Sequence, residues 1–156
     1  MSHATAKLLT FAIDGQRFGI HADHVIEIVR AVRIVGLPKA PRIVEGLINL
    51  RGAVVPVLDI RSRFRLSPKA VEPSDHIVVA RAKERIVGIR VDRALDVLML
   101  LESDIDCING IAPTSDYIAG VAKFPDGLLL IHDLATFLSE AEAEALDELL
   151  PAGLPA

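Results

Sequence analysis

Apolar and polar residues alternate with a period of two through much of this chain, which is the pattern of strands with one buried face. In Arg85 to Asp92, the apolar Val87, Ile89 and Val91 alternate with Gly88, Arg90 and Asp92. Leu9, Phe11 and Ile13 alternate in the same way, and Asp14-Gly15 is a hairpin signal placed before Phe18 and Ile20. Asp126-Gly127 repeats that signal before Leu128 to Ile131. From Val44 to Arg61 the pattern changes. A block bounded by Gly46 and Gly52, Gly-Leu-Ile-Asn-Leu-Arg-Gly, leads into the apolar run Ala53 to Leu58, closed by Asp59. The run reads as a strand buried on both faces, with the two glycines supplying tight backbone turns.

Helical periodicity is scarce. Asp23 can cap a short helix in which Val25, Ile28, Val29 and Val32 follow i, i+3, i+4, i+7 spacing, and Pro41 suits the first turn of a brief second one. The clearest helix is terminal: Ser139 to Glu142 forms a capping box, Leu146, Leu149 and Leu150 make a stripe, and Pro151 stops it. Ser67 to Asp75, with two prolines and mixed charges, reads as an exposed connection.

The halves repeat one another. At an offset of 69, Gly19-Ile20, Asp23 and Glu27-Ile28 align with Gly88-Ile89, Asp92 and Asp96-Val97. At an offset of 74, Gly46-Leu47 and Asp59-Ile60 align with Gly120-Val121 and Asp133-Leu134. Two similar β subdomains packed side by side are the economical explanation.

Composition narrows the function more by exclusion than by suggestion. A chain of 156 residues holds one domain or two small subdomains, and 51% hydrophobic residues with a net charge of -4 describe a globular protein. Without a basic cluster, without Trp and with one Tyr, the chain has no evident means of binding nucleic acid. Met1 to Lys7 lacks the apolar core of a signal peptide, and no run approaches a membrane span, so a cytoplasmic location without direct membrane insertion is expected. Cys107, the only cysteine, is expected to be a buried free thiol.

Catalytic motifs are not apparent: there is no nucleophile elbow, phosphate loop or dinucleotide turn, and no enzyme activity, cofactor or metal is expected. His21, Asp23 and His24 have metal-like composition, but a strand passing into a helix at Asp23 would point them apart. His132 beside Asp133 resembles half a triad, yet neighbours on a strand face opposite ways, so a structural or interface histidine is expected. Asp59, like Asp133, is expected to fix a turn by accepting backbone hydrogen bonds rather than to accept phosphate. Glu27 and Arg51 are polar residues that interrupt apolar surroundings.

The Gly46 to Arg61 block, with Phe18-Gly19-Ile20, Val25-Ile26-Glu27-Ile28, Leu37-Pro38-Lys39-Ala40-Pro41, Val87 to Asp92 and Gly120-Val121 in the same order, resembles the CheW family of bacterial chemotaxis coupling proteins over residues 7 to 150. The resemblance implies an all-β fold: two five-stranded SH3-like β-barrel subdomains packed side by side, with a few short helices and a C-terminal helix. It implies one domain over 7–150, with a first subdomain at about 16–66, a second at about 76–138 that the N-terminal strand could complete, and the helix at 139–150. It further implies a non-enzymatic adaptor, associated with membrane receptor arrays through its partners. Those partners are a chemoreceptor's cytoplasmic hairpin tip and the regulatory domain of a CheA-type histidine kinase, and ring or array assembly with kinase domains is left open. Leu9, Ala22, Val25, Ile28 and Ala94 match the receptor groove, Arg51 and Val54 a kinase contact, and Glu27 with Arg51 a structural ion pair. Alternatives are a module of a dedicated surface-sensing or pilus-linked pathway, a detached kinase regulatory domain, and a small β-barrel ligand carrier or enzyme.

Overall fold

β-Branched and aliphatic runs separated by two-residue turns give eleven strands and one α-helix in a computed structural model that describes residues 4–30, 32–107 and 118–150. The strands are β1 (Thr5–Ile13), β2 (Gln16–His21), β3 (Val25–Arg30), β4 (Val44–Leu50), β5 (Ala53–Leu58), β6 (His76–Ala82), β7 (Arg85–Val91), β8 (Arg93–Leu101), β9 (Ile105–Cys107), β10 (Ile118–Phe124) and β11 (Gly127–His132). The helix α1 spans Glu140–Leu149, and 3-10 turns occupy Ala22–His24, Glu102–Asp104 and Leu134–Thr136.

One sheet has six strands in the order β8-β1-β2-β11-β10-β9, the other five in the order β3-β6-β7-β5-β4. The orders correspond position by position, since β1-β2 and β6-β7 are equivalent hairpins. Each hairpin is joined by a parallel pairing, β2 with β11 and β7 with β5, to strands from the opposite half of the sequence. Sheet membership therefore does not follow the ranges 16–66 and 76–138. The sixth strand is no true asymmetry either. β9 pairs with β10 where, in the first half, Val35 makes an isolated bridge to Leu47 on β4. In both halves this segment passes so close that the facing residue must lack a side chain. A Cβ on Gly46 would lie 2.4 Å from the Val35 carbonyl oxygen, and one on Gly120 would lie 3.1 Å from that of Asp106 and 2.6 Å from Ile105.

Three apolar clusters hold the sheets. Ile48, Val55, Val57, Ile77 and Val79 fill the five-stranded sheet, with Val29 of one edge strand and Leu50 of the other packed on them. Ala6, Leu8, Ala122, Leu129 and Ile131 do the same for the six-stranded sheet, joined by Leu100 and Ile105 from its two edges. Each sheet thus curls until its edges share a core. The largest cluster lies between the sheets and includes Phe11, Phe18, Ile20, Leu58, Val78, Ile89, Phe137 and Leu146. The expected fold class holds, with apolar residues packed between two curled sheets.

Local expectations fared unevenly. Both Asp-Gly hairpins form, and Asp14 and Gly15 take the positive φ values of 53° and 76° that such a turn requires. The Ser139–Glu142 capping box is present, with Glu142 N donating to Ser139 Oγ and Ser139 N to Glu142 Oε1. Pro151 and the Cys107 side chain lie outside the described residues.

Four expectations need correction. The helix expected from Asp23 exists only as the 3-10 turn Ala22–His24, because Val25, Ile26, Ile28 and Val29 are β-branched and continue as strand β3. At Pro41 there is a single turn, in which Val44 N donates to the Pro41 carbonyl at 2.9 Å. β7 is buried on both faces from Val87 to Val91, not one, because Gly88 and Arg90 face a second layer. The block Gly46 to Gly52 is strand β4 ending in a hairpin turn at Arg51-Gly52, φ 52° and 87°, so only the second glycine serves a turn.

The Ser67–Asp75 connection is exposed over most of its length, as expected, but its end at Asp75 is buried and the segment is pinned by charge. Arg90, its side chain 2% exposed, donates from Nε to Glu45 at 2.8 Å, from one terminal nitrogen to Asp75 at 3.2 Å and from the other to the Lys69 carbonyl at 2.7 Å. Arg61 pairs with Asp92 and reaches the Ser67 carbonyl. Removing one member of such a network strands its partners without water. Arg90→Met should therefore cost about 3–5 kcal/mol in urea denaturation and open the connection to proteolysis, and a loss below about 1 kcal/mol would show that the pairing is dispensable.

Candidate functional site: an apolar junction on two edge strands

Strand β3 lies at the edge of its sheet, antiparallel to β6. Val25 stands opposite Ala80, Glu27 opposite Val79 and Ile28 opposite Val78, so the register slips by one residue between Val25 and Glu27. Directly opposed residues share a face. Ala80 and Val78 belong to the central core whereas Val79 belongs to the small core of the five-stranded sheet. The bulge therefore puts Val25 and Ile28 together on the face turned toward the other sheet. An unbulged strand would have sent them to opposite faces. Spacing of three, read from the sequence as one face of a helix, is satisfied here by a bulged strand.

The second half repeats the device. On edge strand β8, Ala94 stands opposite Phe11 and Val97 opposite Leu9, again with a register shift between them, and Phe11 and Leu9 are both in the central core. Val97, the repeat mate of Ile28, was not among the residues chosen from sequence, although the offset of 69 pointed to it. Ile28 is 39% and Val97 52% exposed, which is high for aliphatic residues bordering a core. Val25 is half-buried against that core, Ala22 and Ala94 are half-buried, and Leu9 at 4% lies within the core itself and can only back such a surface. Since β8 packs against β6, the two bulged edges belong to one junction between the sheets.

Glu27 and Arg51 do pair. Both terminal nitrogens of Arg51 donate to the Glu27 carboxylate, at 2.5 and 2.9 Å. The pair joins β3, at one edge of the five-stranded sheet, to the β4–β5 turn at the other edge, and so latches the curled sheet. Arg51 also sits in that turn, ordered by Gly52 N donating to Asn49 Oδ1 at 2.8 Å. Because its side chain is 76% exposed, the latch contributes only on the order of 1 kcal/mol. Val54, further along the hairpin, lines a cleft of about 860 Å³ with Pro56, the β6–β7 turn and α1.

Other residues with chemical promise take structural places. Asp59 Oδ1 accepts from Arg61 N at 3.1 Å and Asp133 Oδ1 from Ala135 N at 3.0 Å, both fixing turns as expected. His21 and His24 are exposed, their rings 6.4 Å apart and perpendicular. His132 is 1% exposed in a cage of Phe18, Phe64, Phe137 and Phe11, with ring centroids at 4.6, 4.7, 5.0 and 5.8 Å. Neither ring nitrogen has a hydrogen-bond partner among the described residues, and burial pushes its pKa from 6.5 down to about 3.

A family model described as the CheW-like domain matches residues 7–142. Chemotaxis protein CheW of Rhizobium meliloti (strain 1021) is 32% identical over 149 residues, 93% of this chain and 95% of that protein. The Treponema pallidum (strain Nichols) protein of the same name is 29% identical, over 92% of this chain and 88% of its own length. Among solved structures, the scaffolding protein TtCheW from Thermoanaerobacter tengcongensis superposes with a TM-score of 0.75 at 26% identity, covering 83% of this chain and 89% of that one.

The caged imidazole makes stability depend on pH with a definite sign. Between 6.5 and about 3 the unfolded chain binds the proton that the folded chain refuses, so stability falls as pH is lowered through this window. The slope from this one group approaches about 1.4 kcal/mol per pH unit. Thermal melts should drop between pH 6.5 and 5, above the range where most carboxylates titrate, and His132→Phe should flatten that drop. Equal slopes in both proteins would refute the assignment.

Proposed function

This chain belongs to the CheW-like domain family, and on that premise we propose that it is a non-catalytic adaptor joining chemoreceptors to a CheA-type histidine kinase. The observation that carries the reading is the repeated pair of apolar residues, Val25 with Ile28 and Ala94 with Val97, held by bulges on two edge strands at the junction of the sheets. Such a surface suits the apolar stripe of a helical hairpin. Leu9 and Ala22 back it, and Val25, Ile28, Ala94 and Val97 contact the receptor tip.

Arg51 and Val54 form the kinase contact, on a hairpin whose orientation the Glu27–Arg51 latch fixes. The turn exposes Arg51, and Val54 opens onto the cleft beside α1, so the kinase meets a face separate from the bulged edges. An adaptor of this kind acts through geometry. Two modest contacts on one rigid body raise the effective concentration of kinase near receptor, and a receptor state that prefers one arrangement biases the kinase through the bridge. No helix among the described residues is long and apolar enough to cross a membrane. In this reading, contact with a membrane array runs through the partners.

Isothermal titration of a receptor hairpin-tip fragment and of the kinase's regulatory domain tests both surfaces. Ile28→Glu and Val97→Glu, at exposed positions, should place a charge against the hairpin and cost about 1–3 kcal/mol, a several-fold to roughly hundredfold loss of receptor affinity. Kinase affinity should change little. Val54→Asp should reverse the preference, and variants that melt like the parent but lose both affinities equally, or neither, would reject the two-surface arrangement.

A further inference from the structure

The adaptor role leaves His132 without a purpose, and the residues around it are unusual in this acidic chain. His132 lines a recess of about 450 Å³, a volume in the range of small-molecule sites, between the end of β2, the β6–β7 turn and the 3-10 turn after β11. Four basic side chains reach its mouth from three elements: His21 from β2, His24 from the 3-10 turn that follows, and Arg81 and Lys83 from the β6–β7 hairpin. All four are exposed. Neither Arg81 nor Lys83 has a hydrogen-bond or ion-pair partner among the described residues, so both charges are available to a ligand. The acidic group at the rim, Asp133, already accepts from Ala135 N.

We infer that this recess binds a phosphate-bearing small molecule. Two permanent cations from one hairpin and two histidines from the other sheet border the recess against the single carboxylate of Asp133, so an oxyanion between them meets an excess of positive charge. The guanidinium of Arg81 can take two oxygens at once while Lys83 supplies a point charge, a division of labour suited to phosphate. His132 belongs to the lining, and its buried ring nitrogens have no hydrogen-bond partner among the described residues. The ligand fits the recess without touching Ile28, Val97 or Arg51, and its site lies beside the kinase-facing cleft, which shares Arg81 and Lys83 as lining.

Pyrophosphate serves as the probe, titrated at constant ionic strength against sodium chloride while the amide and imidazole resonances of the full chain are followed by NMR. Saturable shifts at His21, His24 and Ala135, with a shift of the His132 ring, are expected. Arg81→Gln with Lys83→Gln should weaken binding about tenfold or more, since two charge-assisted bonds are lost. His24→Gln, on a separate element, should weaken it independently. A response that does not saturate, that chloride reproduces, or that survives in both variants would overturn the site.

Discussion

A sheet of five or six strands that curls until its edges meet encloses an interior too small to bury both of its faces. Each sheet here therefore depends on the other. The small cores inside the sheets are built from five buried residues apiece, and the bulk of the buried apolar surface lies between them. The exchange of hairpins makes that dependence covalent as well as hydrophobic, because β1-β2 cannot be withdrawn from one sheet without disturbing the half that forms the other. A protein assembled this way unfolds as one unit, and its two faces keep a fixed relation. An adaptor needs that property more than it needs any particular side chain.

Reciprocal packing also explains why the candidate surface lies where it does. The central core must end somewhere, and it ends at the edge strands β3 and β8. An edge with open backbone groups and aliphatic side chains invites uncontrolled pairing, a hazard that bulges reduce by twisting the edge away. Here the bulges keep Val25, Ile28, Ala94 and Val97 continuous with the core while leaving Ile28 and Val97 exposed. The same distortion that protects the edge supplies the apolar surface.

Much of the fold was legible in the chain because short-range rules decided it. Asp14-Gly15, Asp126-Gly127 and the Ser139–Glu142 box specify their own geometry, and the glycine repeat at offsets of 69 and 74 marks equivalent strands. What misled was a coincidence of periods. Residues three apart share a face in a helix, and they share one in a strand once a bulge intervenes, so Val25 and Ile28 were paired correctly within the wrong element. Local propensity would have favoured the strand. The exchange of hairpins was invisible because pairing between distant strands leaves no local mark. The burial of Arg90 was hidden for a related reason: alternation assigned it to solvent, and only tertiary packing supplies the carboxylates that let a charge stay dry, Asp75 from the connection over β7 and Glu45 from β4.

Symmetry with departures gives the two halves different uses. Glu27 becomes Asp96 in the second half, and the hairpin that presents Arg51 in the first ends in Asp126, whose partner is Arg17 on β2. The Glu27–Arg51 latch spans the two edges of its sheet, whereas Arg17–Asp126 joins neighbours across a parallel pairing. The first hairpin is therefore held against an edge strand of the apolar junction, and the second is not. A force applied at Val54 or Arg51 has a direct path through Glu27 into β3, and so to Val25 and Ile28. The link is short and weakly held, at about 1 kcal/mol for an exposed pair, so the rigidity of the sheet rests on its packed core and the latch only sets the orientation of the hairpin.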